Sequence, residues 1–307
     1  MSEVNGEVWD RLNTGRRIGL GVTIALALAA SAIWAAFAAG SARAFVIVGS
    51  PVSTFTTVTT GFFNGPFTEV NTSLSEPGAY VTSPVNGTIN EWSVSVNAVG
   101  PMAVRVIRPA GGGAYTGVST RKFTPAGTGD VGVFPGSLPI RAGDLVGLDL
   151  ITSAARVGSE AIPGSGVSEW GGSGGLLADG STLPPDNVFP SEEVAFSAVV
   201  NPSSDFSVDG VRRHKKKGTA TIHVTVPNPG MLFAHGRGVG PLSLAQVGES
   251  VTTGPVHLLI KARGAKRRKL NATGKVTLGV TLAFAPDFEG NRLARTQDVA
   301  VKLKKNL

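Results

Sequence analysis

Residues 91–98 alternate strictly: Trp92, Val94, Val96 and Ala98 fall on one side of an extended chain, Ser93, Ser95 and Asn97 on the other. A repeat of two residues marks a half-buried strand. Further apolar runs at 102–107, 115–123, 130–134, 144–151 and 193–200 are closed by glycine and proline clusters such as Arg108-Pro109-Ala110-Gly111-Gly112-Gly113. No convincing amphipathic helix separates them. The pattern predicts an antiparallel sandwich or jelly roll, not a parallel α/β sheet.

Past the polar, breaker-rich stretch Asn201-Pro202-Ser203-Ser204, a second series of strands is predicted at 219–226, 231–234, 241–247, 256–262, 275–284 and 298–303. Across 275–284 the even positions are apolar and the odd ones polar or small. Six or seven strands in about 100 residues is the size of an immunoglobulin-like sandwich. No period of about 20 to 50 residues recurs, which argues against a solenoid or propeller. The expected fold class is all-β: a leader helix in 1–44, a Gly/Val-rich jelly-roll-like sandwich in 45–200, a basic linker and first-strand region in 201–218, and a smaller Ig-like sandwich in 219–307.

Composition agrees with strands joined by tight turns, since the 307 residues include 41 Gly and 19 Pro. The absence of cysteine removes disulfides, thiolate catalysis and Cys-based zinc sites together. The four histidines, His214, His223, His235 and His257, form no HxxxH pair. Charge is uneven along the chain: the net values for 1–44, 45–200 and 201–307 are +1, −6 and +12, within an overall +7.

Arg11, Arg16 and Arg17 precede an uncharged run over 18–42, which ends at Ala42-Arg43-Ala44, small residues at the two positions a signal peptidase reads. Cleavage after Ala44 would free Phe45. The run is also long enough to cross a bilayer, which takes about 20 residues, so an uncleaved anchor is the alternative, and the only membrane attachment expected. The stretch around Arg16-Arg17 faintly resembles a twin-arginine export signal, with Gly15 where Ser or Thr usually precedes the pair, and otherwise reads as an ordinary positive flank. Both readings make the protein exported, to the cell envelope or beyond.

The order Phe206-Ser207-Val208-Asp209-Gly210, Arg212 to Lys217, Pro227-Asn228-Pro229-Gly230, then Lys269-Leu270-Asn271-Ala272-Thr273-Gly274-Lys275 and Phe284-Ala285-Pro286 resembles a basic C-terminal module of secreted actinobacterial proteins. Upstream, Pro77-Gly78, Ser83-Pro84-Val85-Asn86-Gly87-Thr88-Ile89, the 108–115 turn and Ala142-Gly143-Asp144-Leu145-Val146-Gly147-Leu148-Asp149 look like the Gly/Val-rich domain that often precedes it. The resemblance implies an Ig-like C-terminal sandwich and an extracellular setting. It brings no activity with it.

Candidate chemistry is sparse, and no cofactor motif is found. Gly171-Gly172-Ser173-Gly174-Gly175 fits G-x-S-x-G, but it lies in a glycine run without the strand-turn-helix context a nucleophilic serine needs. Asp144 with Asp149, or Glu192 with Glu193, offers carboxylates for a glycosidase pair or a calcium site. Asp144 reads more simply as a turn residue and Asp149 as alternating out of its strand. Trp170, in the glycine-rich stretch 164–175, either stacks on a sugar face or plugs the end of the sandwich.

Arg212, Arg213, Lys215, Lys216 and Lys217, and Lys266, Arg267, Arg268 and Lys269, form two basic clusters, joined by Lys302, Lys304 and Lys305. Such clusters attract polyanions, or else act as solvated loops. Interleaved aromatic residues are missing, which disfavours specific nucleic-acid recognition. The sequence therefore suggests a non-enzymatic envelope or secreted protein that adheres to an anionic cell-wall polymer or polysaccharide. A carbohydrate-binding module using Trp170, or a hydrolase with an unrecognised site, is the alternative.

Overall fold

The computed structural model describes residues 45–51, 59–60, 66–171, 175–240, 245–247, 254–287 and 294–306. Ala42 and Ala44, expected to flank a cleavage site, lie outside the described residues, as does Ser173. The named strands pair antiparallel throughout, and the protein is all-β.

The first twelve strands are β1 (Val46–Gly49), β2 (Thr59–Thr60), β3 (Phe67–Ser73), β4 (Gly87–Ala98), β5 (Met102–Gly111), β6 (Ala114–Phe123), β7 (Gly129–Ile140), β8 (Leu145–Leu150), β9 (Arg156–Trp170), β10 (Thr182–Leu183), β11 (Asn187–Val194) and β12 (Phe196–Pro202). They bond in the order β1-β12-β4-β9-β3-β8-β5-β6-β10, with β7 on β4 and with β2 and β11 on β9. β9 links the two halves: Val157 near its start pairs with Val96 of β4, and Trp170 at its end pairs with Thr68 of β3. A shared core closes between the halves, with Val48, Trp92 and Val94 on one side and Val104, Leu148 and Leu150 on the other. The alternation along β4 thus puts Trp92, Val94 and Val96 in the core. Gly136 of β7 lies directly on the six-membered ring of Trp92, where any side chain would collide.

The apolar run predicted at 193–200 is two strands, because Ala195 turns the chain from one half of the sheet to the other. β11 pairs with β9, whereas β12 lies between β1 and β4. All six residues of β8 are buried, since its sheet is covered on both faces. Val146, Leu148 and Leu150 enter the main core, while Leu145 joins Val70, Ile107, Trp170 and Leu177 on the opposite face. Asp149, expected to point outward, is therefore 2% exposed.

The second group comprises β13 (Ser207–His214), β14 (Thr219–Val226), β15 (Gly230–His235), β16 (Ala245–Val247), β17 (Gly254–Lys261), α1 (Gly264–Thr273), β18 (Lys275–Pro286) and β19 (Arg295–Lys304). One sheet runs β13-β14-β17 and the other β16-β15-β18-β19. Alternate residues Ala220, Ile222, Val224 and Val226 of β14 face Val276, Leu278, Val280 and Leu282 of β18 within one core, making a sandwich. The 241–247 prediction corresponds, in its described part, to β16.

The helix α1 was not anticipated, because its single buried residue, Leu270, leaves no amphipathic stripe to recognise. It ends at Gly274, whose φ of 66° suits glycine and whose N–H caps the Leu270 carbonyl at 2.9 Å.

Residues Arg43–Leu307 cluster as one unit, and a set of asparagine hydrogen bonds joins the two strand groups. The Asn86 N–H donates to Asn228 Oδ1 at 2.8 Å, and Asn86 Nδ2 donates to the Pro227 carbonyl at 2.5 Å. Asn228 Nδ2 returns bonds to the carbonyls of Asn86 and Ser203, both 2.8 Å. Asn228 is fully buried, so each of these polar groups needs its partner.

Candidate polyanion-binding surface

The β13–β14 turn carries the first basic cluster. The His214 carbonyl accepts from Lys217 N (3.0 Å) and Gly218 N (2.9 Å), which holds Lys215, Lys216 and Lys217 at the tip, all exposed. Gly218 has φ +64°, and a Cβ there would meet Leu270 Cδ2 at 3.1 Å and Lys305 Cβ at 3.3 Å. The turn thus rests on α1 and on the end of the chain.

The second basic cluster lies on α1. Because Leu270 alone turns inward, Arg267, Arg268 and Lys269 stand in solvent and Lys266 is half-buried, its Nζ donating to the Thr277 carbonyl at 3.2 Å. The chain terminus joins both. Arg213 Nε donates to the Lys302 carbonyl (3.1 Å), Asn306 N to the Lys215 carbonyl (3.1 Å), and Lys305 Nζ to Asn271 Oδ1 (2.9 Å). Lys275 and Lys304 sit directly opposite each other across β18 and β19, a like-charge pairing that an anion would relieve.

All nine basic residues singled out in the sequence therefore gather at one end of the second sandwich, with Lys275, Lys302, Lys304 and Lys305. Lys275 escaped notice because it also fits a strand alternation. Among the described residues no carboxylate pairs with any of these cations. No acidic residue stands in the first turn of α1 to balance the positive end of its dipole. β14 separates this end from Pro227 and Asn228 by eight residues, about 25 Å of strand, so the basic end points away from the asparagine seam.

Asp144 and Asp149, two of the candidate carboxylates, are held in ion pairs. Asp149 takes a bidentate bond from Arg105, with Arg105 Nη2 to Oδ2 at 2.7 Å, and a bond from Thr68 Oγ1 at 2.7 Å. Arg105 reaches on to Asp179 at 2.5 Å, and Arg108 clasps Asp144 at 2.7 and 2.8 Å. The charges of these three carboxylates are balanced in place by Arg105 and Arg108. Burial pushes the Asp149 carboxyl up, and the Arg105 bonds oppose this.

Trp170 closes a core rather than forming a platform. It is 1% exposed, packs edge-on against Tyr115 with ring centroids 5.4 Å apart, and donates through Nε1 to the Leu183 carbonyl at 3.4 Å. Within the stretch read as a glycine-rich loop, Gly164 to Trp170 are the end of β9, and Leu177 and Asp179 pack onto the sheet beyond it. No ring face remains for a sugar, which corrects the stacking expectation for Trp170.

Burial also gathers acids along β3, β9 and β11. Glu69 and Glu169 are directly opposed across β3 and β9, and Glu192 adds a third nearby negative charge. Burial, then Glu169, then Glu192 push the Glu69 carboxyl up to about 8. It borders a small cleft with Phe67, Leu150, Ala155, Arg156, Val157 and Ser159. Burial raises Glu169 against the opposing bond from Asn187 Nδ2 (3.0 Å), and raises Glu193 against those from Ser50 and Ser165, the latter at 2.7 Å. The sequence reading missed Glu69 because its strand was not predicted. Among the described residues, no three or more His, Asp or Glu side chains are grouped to hold a metal ion.

No protein-family model and no curated protein matches the chain. Among solved structures, the crystal structure of Ruminococcus gnavus beta-glucuronidase aligns at 12% identity and a TM-score of 0.21, covering 82% of this chain and 38% of that one. The same organism's enzyme in complex with uronic isofagomine aligns at 13% identity with the same TM-score and coverages. The chain spans 38% of the length of these proteins, and a TM-score this low transfers neither fold nor activity.

Proposed function

We propose that this is an exported, non-enzymatic surface or secreted protein that adheres to anionic cell-envelope polymer through the basic end of its second sandwich. The observation that carries the reading is the meeting of three sequence-distant basic segments, the β13–β14 turn, α1 and the end of β19, with no carboxylate paired to them among the described residues. Clustered, unneutralised cations produce a field that draws in a polyanion and holds it without a shaped pocket. The first sandwich, with its ion pairs internally satisfied, is read as a rigid platform displayed beyond the adhering end. The leader run over 18–42 supports export.

The test is retention of purified protein on cell-wall sacculi across a salt series. Retention at low salt and release towards about 0.5 M are expected, because the Debye length then falls well below 10 Å. Substituting Lys215, Lys216, Arg267 and Arg268 by Glu should abolish retention while leaving the unfolding midpoint nearly unchanged, as all four are exposed. Salt-independent retention, or none at all, rejects the reading.

A further inference from the structure

The three-stranded sheet brings two histidines together that lie 34 residues apart in the chain. His223 of β14 and His257 of β17 are direct cross-strand partners, and their ring centroids are 4.5 Å apart with the planes tilted by 72°. Both rings are on the outer face: the core-facing neighbours Ile222, Val224 and Leu258 are buried, whereas His223 is half-buried and His257 exposed. On the other side His223 lies opposite Gly210 of β13, which has no side chain to cover the ring. Among the described residues neither imidazole is tied up in a hydrogen bond.

We propose that His223 and His257 form a two-imidazole chelate for a divalent transition-metal ion of the copper(II) and nickel(II) class. A ring nitrogen lies about 1.1 Å from its centroid and binds a metal at about 2.0 to 2.1 Å, so a shared ion sits about 3.2 Å from each centroid. At that reach the observed 4.5 Å separation subtends an angle of about 90° at the metal. Tetrahedral coordination would need the rings about 5.2 Å apart. A right angle between two imidazoles is what neighbouring positions of a tetragonal site require, and that geometry together with nitrogen donors selects copper(II) or nickel(II). Two rigid strands keep the donors in register, so binding the ion costs little ordering.

Asp209, at the irregularity of β13 beside Gly210, places a fixed anion that interacts with His223. It accepts from Thr225 Oγ1 (2.6 Å) and Ser207 Oγ (2.8 Å), and these bonds, the first more than the second, hold its carboxyl below the usual range. It interacts electrostatically with His223 but is not grouped with the two rings as a third ligand. Its charge favours a cation on this face, and water fills the remaining coordination positions.

The experiment is a titration of the purified full chain with copper(II) chloride near neutral pH, read by visible absorption and by nitrogen hyperfine structure in electron paramagnetic resonance. One equivalent with two imidazole nitrogens is expected, and nickel(II) should compete for the site. His223→Gln or His257→Gln should each weaken binding about 100-fold, since either change turns a chelate into a single contact. His235→Gln, on the other sheet, should leave the titration unchanged. Unaltered thermal midpoints for both exposed-face variants would show that folding is intact. Equal copper binding by wild type and His257→Gln would overturn the chelate, and zinc outcompeting nickel would overturn the right-angle geometry.

Discussion

Glu69→Gln gives a sharp test of how burial controls this fold. The wild-type carboxyl, 8% exposed and facing Glu169 and Glu192, is pushed from the ordinary 4.5 up to about 8. Between those values the folded state keeps a proton that the unfolded chain has released, so stability falls as pH rises. The loss is complete once pH passes the folded value and is absent below about 4.5. Each pH unit is worth 1.36 kcal/mol, so this group alone should remove about 3 kcal/mol by pH 7 and about 4 kcal/mol by pH 8, approaching about 5 kcal/mol at higher pH. Glutamine has the shape of the protonated acid and cannot ionise. Urea unfolding should give similar free energies for the two proteins near pH 4.5, with the variant increasingly more stable as pH rises. Glu169 and Glu193, also raised, tilt both curves in the same direction, so the difference between the proteins is the quantity to read. A difference that stays constant with pH would refute the reasoning.

The Arg105 cluster should respond according to burial. Asp149→Asn leaves a guanidinium that is 5% exposed without its bidentate partner and should cost about 3 to 5 kcal/mol in urea unfolding. Asp179→Asn, whose carboxylate is 48% exposed, should cost under about 1 kcal/mol, and equal losses would contradict this ranking. Asn228→Ala removes an acceptor for the Asn86 N–H and the donors to two carbonyls, at about 1 to 3 kcal/mol for each buried group left unpaired. Limited proteolysis should then cut faster between Pro202 and Ser207, and an unchanged cleavage rate would show that the asparagines do not secure the seam.

Much of the strand content was legible because its cause is local. β4, β14 and β18 each bury one face, and their period of two survives in Trp92-Ser93-Val94, Ile222-His223-Val224 and Leu278-Gly279-Val280. The basic residues, the absence of cysteine and the uncharged run over 18–42 were equally open to direct reading. What stayed hidden depended on distant neighbours. β9 reads as a loop because its glycines and serines suit a strand wedged between others, and β8 lost its polar alternation because a returning segment covers its second face. α1 has one buried residue and therefore no stripe to detect. By itself the sequence determined the all-β class and the charge carried by each region, since propensity, periodicity and composition are properties of nearest neighbours along the chain. Only the tertiary structure decided that Trp170 is core, that three basic segments form one surface and that His223 meets His257, because strand pairing joins residues whose separation along the chain conveys nothing about their distance in space.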